Sequence, residues 1–315
     1  MAQAGVADAF MHRSLSFFVR AIYSFHMPLF IALSGALFTY DYTKQLSQLL
    51  VKKARRLLIP FLFAMTLVST PAKYIAGYYN NSRNILSDII IGQYLIQGNT
   101  HLWFLPTLFC LFIIFFLIKK YLPAELSHHL LLFGFLTLNI ISSKIPVVLV
   151  ANISHYLIYF YLGMIFEKRR ENFNAKVTKG GMSFSALMWV TFFVTEVYLG
   201  KQEFLIFRLL EKIVEICTAV MGMISFYELC LVLTEKGAAS NYIVRQIDRD
   251  SFVIYLYSDP FNYILISAAA EGGLIYSLNN NLQAVVLFVS RFIITLFISI
   301  LITVMLRKFR IRYVC

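Results

Sequence analysis

Three ionisable side chains stand where nearly everything around them is apolar. They are His26 in Phe25-His26-Met27-Pro28-Leu29-Phe30, His155 in Asn152-Ile153-Ser154-His155-Tyr156, and Asp259 in Ile254-Tyr255-Leu256-Tyr257-Ser258-Asp259-Pro260. An imidazole oriented by a carboxylate is what general base catalysis requires. Such groups are costly in hydrocarbon, so they face a partner or a cavity. If each run crosses a bilayer as a helix, a rise of about 1.5 Å per residue puts all three at a common depth of roughly 12 Å. The three either line one reaction cavity or are satisfied separately by neighbouring helices. Pro28 cannot donate to the carbonyl of Ser24, which predicts a bend. Ser34-Gly35 lets another helix come close, so packing is the first reading of that pair.

Two further stretches could hold ligands. Lys52-Lys53-Ala54-Arg55-Arg56 precedes Leu57-Leu58-Ile59-Pro60. Cations at the mouth of a span can grip the phosphates of a nucleotide-like ligand, or serve only as stop-transfer charges and lipid contacts. His101 and Trp103 fall at an interface, where tryptophan is expected as an anchor. Glu196, Glu215, Glu228, Arg20 and Arg291 also lie in or near spans and are read as interhelical pairs or snorkelling groups.

The elements that must position these residues follow from composition. The chain has 315 residues, 59% hydrophobic and only 14% charged, with a mean hydropathy of +0.72. That is too little polar surface to coat a soluble domain of this size. Apolar runs of about 17 to 25 residues suit spanning helices, and the alternation of a barrel is absent. The expectation is an all-α, polytopic integral membrane bundle in a single domain. About nine spans are expected, near residues 17–38, 57–76, 102–118, 130–141, 147–166, 182–199, 213–233, 251–270 and 284–306.

The formal charge of +12 is concentrated in alternate loops, so it reads as orientation and not as nucleic-acid binding. Lys44 to Arg56, Glu167-Lys168-Arg169-Arg170 and the tail from Arg307 are expected on the cytoplasmic side. The N-terminus then comes out extracytoplasmic, which asks for one more helix in front. Cys110, Cys217, Cys230 and Cys315 show neither metal-ligand spacing nor a loop pair to oxidise, so neither a metal site nor a disulfide is expected.

Together these pieces resemble the acyltransferase type 3 family of membrane proteins, particularly its sugar O-acetylase branch. The residues that carry the resemblance are Phe25-His26-Met27-Pro28-Leu29-Phe30 with Ser34-Gly35, then Arg55-Arg56-Leu57-Leu58-Ile59-Pro60 and His101-Leu102-Trp103-Phe104-Leu105. Further along come Phe160-Tyr161-Leu162-Gly163 and Ser251 with Ile254-Tyr255-Leu256. The set occurs in family order across nearly the whole chain.

The resemblance implies transfer of an acyl group, usually acetyl, from cytoplasmic acetyl-CoA to a sugar hydroxyl on an envelope glycan or lipid-linked precursor. The setting would be a bacterial-type inner membrane, with membrane lipid and the glycan as partners. It assigns Lys53 and Arg56, with Lys52 and Arg55 beside them, to the CoA phosphates. Ser34, His101, Trp103 and Tyr255 become candidates for the acceptor, and His26, in support, with His155 and Asp259 for the chemistry.

The resemblance also has two departures. Family members begin with a helix bearing the histidine usually regarded as catalytic, whereas this chain starts where the second helix is expected. Ser258 stands where many relatives have a histidine. A non-catalytic relative that binds or moves a lipid-linked glycan is the alternative expectation.

Overall fold

The computed structural model describes residues 13–40, 45–80, 84–87, 89–90, 101–122, 128–202, 204–237, 240–271 and 281–308. Among them there is no strand. The principal helices are α1 (Arg13–Phe38), α2 (Leu46–Ile75), α3 (Phe104–Tyr121), α4 (His128–Ile141), α5 (Val148–Glu167) and the short α6 (Arg170–Asn174). They continue with α7 (Lys179–Leu199), α8 (Leu205–Glu235), α9 (Tyr242–Glu271) and α10 (Asn281–Lys308).

Seven segments among the described residues are long and apolar enough to cross a membrane: Phe17–Phe38, Leu46–Ile75, Phe104–Tyr121, Val148–Glu167, Gly180–Leu199, Ile206–Glu235 and Phe288–Met305. The fold is thus the expected all-α, polytopic membrane bundle. The other two expected spans fall on α4, which has only 14 residues, and on α9. Tyr255, Tyr257, Ser258, Asp259, Asn262 and Tyr263 dilute the apolar run of α9, and these are residues from which a polar site would be built.

The chain forms two compact units. The first takes Met1–Phe17, Leu50–Phe109 and Tyr242–Cys315, and the second takes Phe18–Leu49 and Cys110–Asn241.

In the first unit α9 packs against α10 and along α2. The buried face of α2 carries a row at every fourth position, Lys53, Leu57, Phe61, Met65, Ser69 and Lys73, with Pro60, Ala64 and Ala72 buried beside it. A spacing of four would drift around an unbroken α-helix of 3.6 residues per turn. Here α2 widens twice into π-turns, at Ala54–Leu58 and Met65–Ser69. Each turn takes up an extra residue and brings the row back to one side. Each comes just before a proline, Pro60 and Pro71, whose ring would otherwise crowd the carbonyl four residues back. The Thr70 hydroxyl donates to the Met65 carbonyl at 2.8 Å, which helps satisfy the second of these turns.

In the second unit α7 and α8 form one antiparallel pair and α4 and α5 another. Thr178 caps α7 by accepting from the Gly181 N–H at 3.1 Å. α1 and α5 cross where neither has a side chain to keep them apart. A Cβ on Gly35 would lie 2.1 Å from the Phe160 carbonyl oxygen, and one on Gly163 would lie 1.9 Å from that of Ala32. Gly35 therefore serves the close approach expected of it, and Gly163 of the Phe160-Tyr161-Leu162-Gly163 motif is its counterpart. Phe38, Phe112, Phe115 and Phe160 pack around this crossing, with Phe115 stacked on Phe160 at 4.6 Å.

Candidate active site

His26 lies on α1, half-buried, with Pro28 buried a half-turn further on. Its Nδ1–H donates to the Ile22 carbonyl at 3.2 Å, and the Tyr23 ring meets the imidazole edge-on at 4.5 Å. With the proton held at Nδ1, a neutral imidazole carries its lone pair on Nε2. That is the state of a base ready to accept a proton.

His155 is arranged the other way. Asn139 of α4 donates from Nδ2 to the His155 carbonyl at 2.6 Å, and the same amide nitrogen lies 3.2 Å from His155 Nδ1. An NH2 group offers only hydrogens, so Nδ1 is the acceptor and the proton of the neutral ring belongs on Nε2. Nε2 faces Glu215 Oε1 on α8 at 3.9 Å. The other oxygen of Glu215 accepts from Lys212 at 2.6 Å. Tyr156 and Tyr159 enclose the imidazole at 4.7 and 5.8 Å. The group links α4, α5 and α8 through an amide, an imidazole, a carboxylate and an ammonium. The Asn139 amide nitrogen, the imidazole and the carboxylate tie the helices together, while Asn139 Oδ1 stays buried without a hydrogen-bond partner.

Asp259 belongs to the first unit. It accepts a hydrogen bond from Tyr263, one helical turn along α9, and acts electrostatically on Lys73 of α2 and Arg291 of α10. Lys73 is fully buried. Its ammonium stands 5.0 Å from the Tyr78 ring centre and 5.1 Å from that of Tyr263, within cation–π range. Arg291 donates to Asn262 Oδ1 at 3.3 Å. Three helices therefore converge on one carboxylate. Tyr263 bonds to it directly, and its charge acts on two cations, one of which, Lys73, is held between the Tyr78 and Tyr263 rings.

The sequence pattern marks Asp259 and His155 but misses their partners. Lys73 lies near the end of its span and looks like an interfacial charge, although its place in the four-residue row of α2 is the signal that it turns inward. Asn139 is uncharged and lies on the shortest of the expected spans. Glu215 and Arg291 are anticipated only as pairing groups, and Glu215 does pair across helices. Arg20 and Glu196 pair likewise, at 3.8 Å. Ser185 donates to Glu228 at 2.5 Å.

The four cations of the phosphate-binding candidate divide. Lys53 is buried on the inward row of α2, while Lys52, Arg55 and Arg56 are exposed. The π-turn beginning at Ala54 separates Lys53 from the arginines, so Lys53 and Arg56 present different faces. Among the acceptor candidates, Trp103 and Tyr255 come together through Phe104, with ring centres at 6.4 Å and 6.1 Å. His101 opens the short 3-10 turn that precedes α3. Ser34 donates to the Phe30 carbonyl of its own helix at 2.9 Å.

Neither a curated protein nor a solved structure matches the chain. The sequence model of the acyltransferase type 3 family, described as an acyltransferase domain, matches residues 2–304, and the chain therefore belongs to that family.

Proposed function

We propose that the protein is a membrane O-acyltransferase of the sugar O-acetylase kind. It moves an acyl group, acetyl by preference, from acetyl-CoA to a sugar hydroxyl of an envelope polysaccharide or its lipid-linked precursor. The observation that carries this reading is the family match over residues 2–304. In the reaction the sugar hydroxyl gives up its proton to a base as its oxygen attacks the thioester carbonyl. The tetrahedral oxyanion then collapses, the carbon–sulfur bond breaks, and the CoA thiolate leaves and takes a proton.

His26 supports the base role, because its Nδ1–H is committed to Ile22 and its Nε2 lone pair is left for an incoming hydroxyl. The exposed Lys52, Arg55 and Arg56 suit the phosphates of CoA. Within the first unit, Asp259 with Tyr263, Lys73 and Arg291 offers hydrogen-bonding and charged groups of the kind that hold a polar ligand. The polypeptide orientation that goes with this reading puts the basic loops and the C-terminus in the cytoplasm of a bacterial-type cell.

The test is deletion of the gene followed by release and measurement of glycan-bound acetate. Loss of acetate on deletion is expected. It should return with the wild-type gene and not with His26→Ala. Unchanged acetylation in the deletion strain, with normal glycan export, would reject the activity. Unchanged acetylation together with a defect in glycan export would favour the alternative, a non-catalytic relative that binds or moves the lipid-linked glycan.

A further inference from the structure

The crossing of α1 and α5 leaves a space beside it. Ala32 and Ala36 on α1 and Gly163 on α5 have too little side chain to fill the angle between the helices, and Met223 of α8 forms the opposite wall. The result is a half-open apolar slot of about 330 Å³, within the second unit. That volume is within the range of small-molecule sites. Tyr227 closes one end, packed against Phe166 at 5.1 Å and Phe173 at 6.0 Å, with its hydroxyl donating to Asn174 at 3.0 Å.

Arg169 is the charged residue in the lining, at this same end. Its natural neighbour Glu167 is already engaged. Glu167 accepts from Tyr40 at 2.5 Å and pairs with Arg170 at 3.3 Å. No carboxylate among the described residues pairs with the Arg169 guanidinium. Arg169 also lies just past Glu167, where the α5 span ends, so it stands at the level of lipid headgroups.

We propose that this slot binds one acyl chain of an anionic glycerophospholipid, with the lipid phosphate on Arg169. The apolar walls exclude a polar ligand. The Arg169 guanidinium at one end selects an anionic head over a zwitterionic one. Membrane depth matches the chain to the walls and the phosphate to the guanidinium. The inference stands apart from the proposed activity, because it rests on the slot and its charge alone.

The full chain, purified in detergent, is titrated with dioleoyl phosphatidylglycerol, dioleoyl phosphatidylcholine or oleoyl-CoA, and bound molecules are counted by native mass spectrometry. One phosphatidylglycerol should be retained at a concentration roughly fivefold lower than phosphatidylcholine, the scale of one basic group facing an anionic head. Arg169→Gln should remove that preference. Ala36→Phe should fill the slot and abolish the single retained lipid. Met223→Trp fills it from the opposite wall and should do the same if Ala36→Phe does not fold. Equal retention of the two phospholipids by the wild type would overturn the proposal, since the groove would then hold ordinary boundary lipid. A preference that survives Arg169→Gln, or oleoyl-CoA retained ahead of phosphatidylglycerol, would overturn it as well. Lipid counting does not depend on acyl transfer, so either idea can fail without the other.

Discussion

The two units bury their ionisable groups in different company. In the second, each carboxylate has a local partner, Glu215 with Lys212 beside His155, Glu196 with Arg20 at 3.8 Å and Glu228 with the Ser185 hydroxyl, although one oxygen of Glu196 is buried without a hydrogen bond. In the first, Asp259 serves several partners at once, bonded to Tyr263 and acting by its charge on Lys73 and Arg291. A closed pair holds two helices together. A shared carboxylate instead fixes tyrosine and cationic groups around a common point, which is the preorganisation a binding site requires. The contrast shows that a buried ionisable residue is placed for chemistry less by its own type than by what its neighbours have already taken up. His26 and His155 make the same point within one unit. One ring has its Nδ1–H committed to a carbonyl and its Nε2 lone pair uncommitted, and the other has Nδ1 held by an amide.

The strongest test of this contrast compares the two histidines. If His26 is the base of an acyl transfer, His26→Ala should lower kcat by about 10²–10⁴, the usual worth of a general base, with little change in KM. His155→Ala should cost less than about tenfold in kcat and show mainly as a lower unfolding temperature, because it removes a link among α4, α5 and α8. Steady-state transfer by purified protein, with thermal unfolding of each variant, measures both. A larger kcat loss in His155→Ala would reverse the roles.

Next in size is the contrast between carboxylates. Asp259→Ala leaves the fully buried Lys73 and the neighbouring Arg291 without their shared counter-charge, and should destabilise the protein by about 3–5 kcal/mol. Glu215→Ala should cost only about 1 kcal/mol. Its side chain is 29% exposed and that of Lys212 is 26% exposed, so water screens what remains. Equal losses in denaturant titrations would mean that the two clusters are built alike.

Much of this architecture is legible in the residues themselves. The apolar runs give an all-α membrane bundle, and Gly35 with Gly163 marks a helix crossing, because only small residues permit that approach. The partnerships around the polar groups are less legible, for definite reasons. The α2 row from Lys53 to Lys73 has a period of four, which matches neither a strand nor a regular α-helix. It becomes one face only when the π-turns before Pro60 and Pro71 are known. The tautomers of His26 and His155 depend on Ile22, four residues away, and on Asn139, sixteen residues away on another helix. Nothing in the residue types alone distinguishes them. The basic run reads as one patch of four cations, yet the same π-turn turns Lys53 inward and leaves Arg55 and Arg56 outside.

The glycine contact can be separated from glycine content in general. Gly163→Ala places a Cβ within 1.9 Å of a backbone carbonyl, so the helices must shift. A loss of about 1–3 kcal/mol is expected, the range for overpacking. Gly134→Ala, in the middle of α4 with nothing within 4 Å of the new Cβ, should instead gain about 0.5–1 kcal/mol from helix propensity. Opposite signs in thermal unfolding would confirm that α1 and α5 are held by close approach. If both variants are stabilised, that crossing is looser than described.

The smallest expected effect separates the inward and outward cations of α2. Arg56→Ala removes an exposed guanidinium, so its stability should stay within about 0.5 kcal/mol of wild type. If it contacts a CoA phosphate, KM for acetyl-CoA should rise roughly fivefold to tenfold, since one charge-assisted contact is worth about 1–1.5 kcal/mol. The rise should shrink as salt screens the exposed charge. Lys53→Ala should behave differently, losing stability first, because its ammonium is enclosed on the buried row. Lys176, exposed at the end of α6 in the other unit, supplies the control for charge alone, and Lys176→Ala should leave KM unchanged. If Arg56→Ala and Lys176→Ala shift KM equally, the run serves orientation in the membrane and the donor phosphates are held elsewhere.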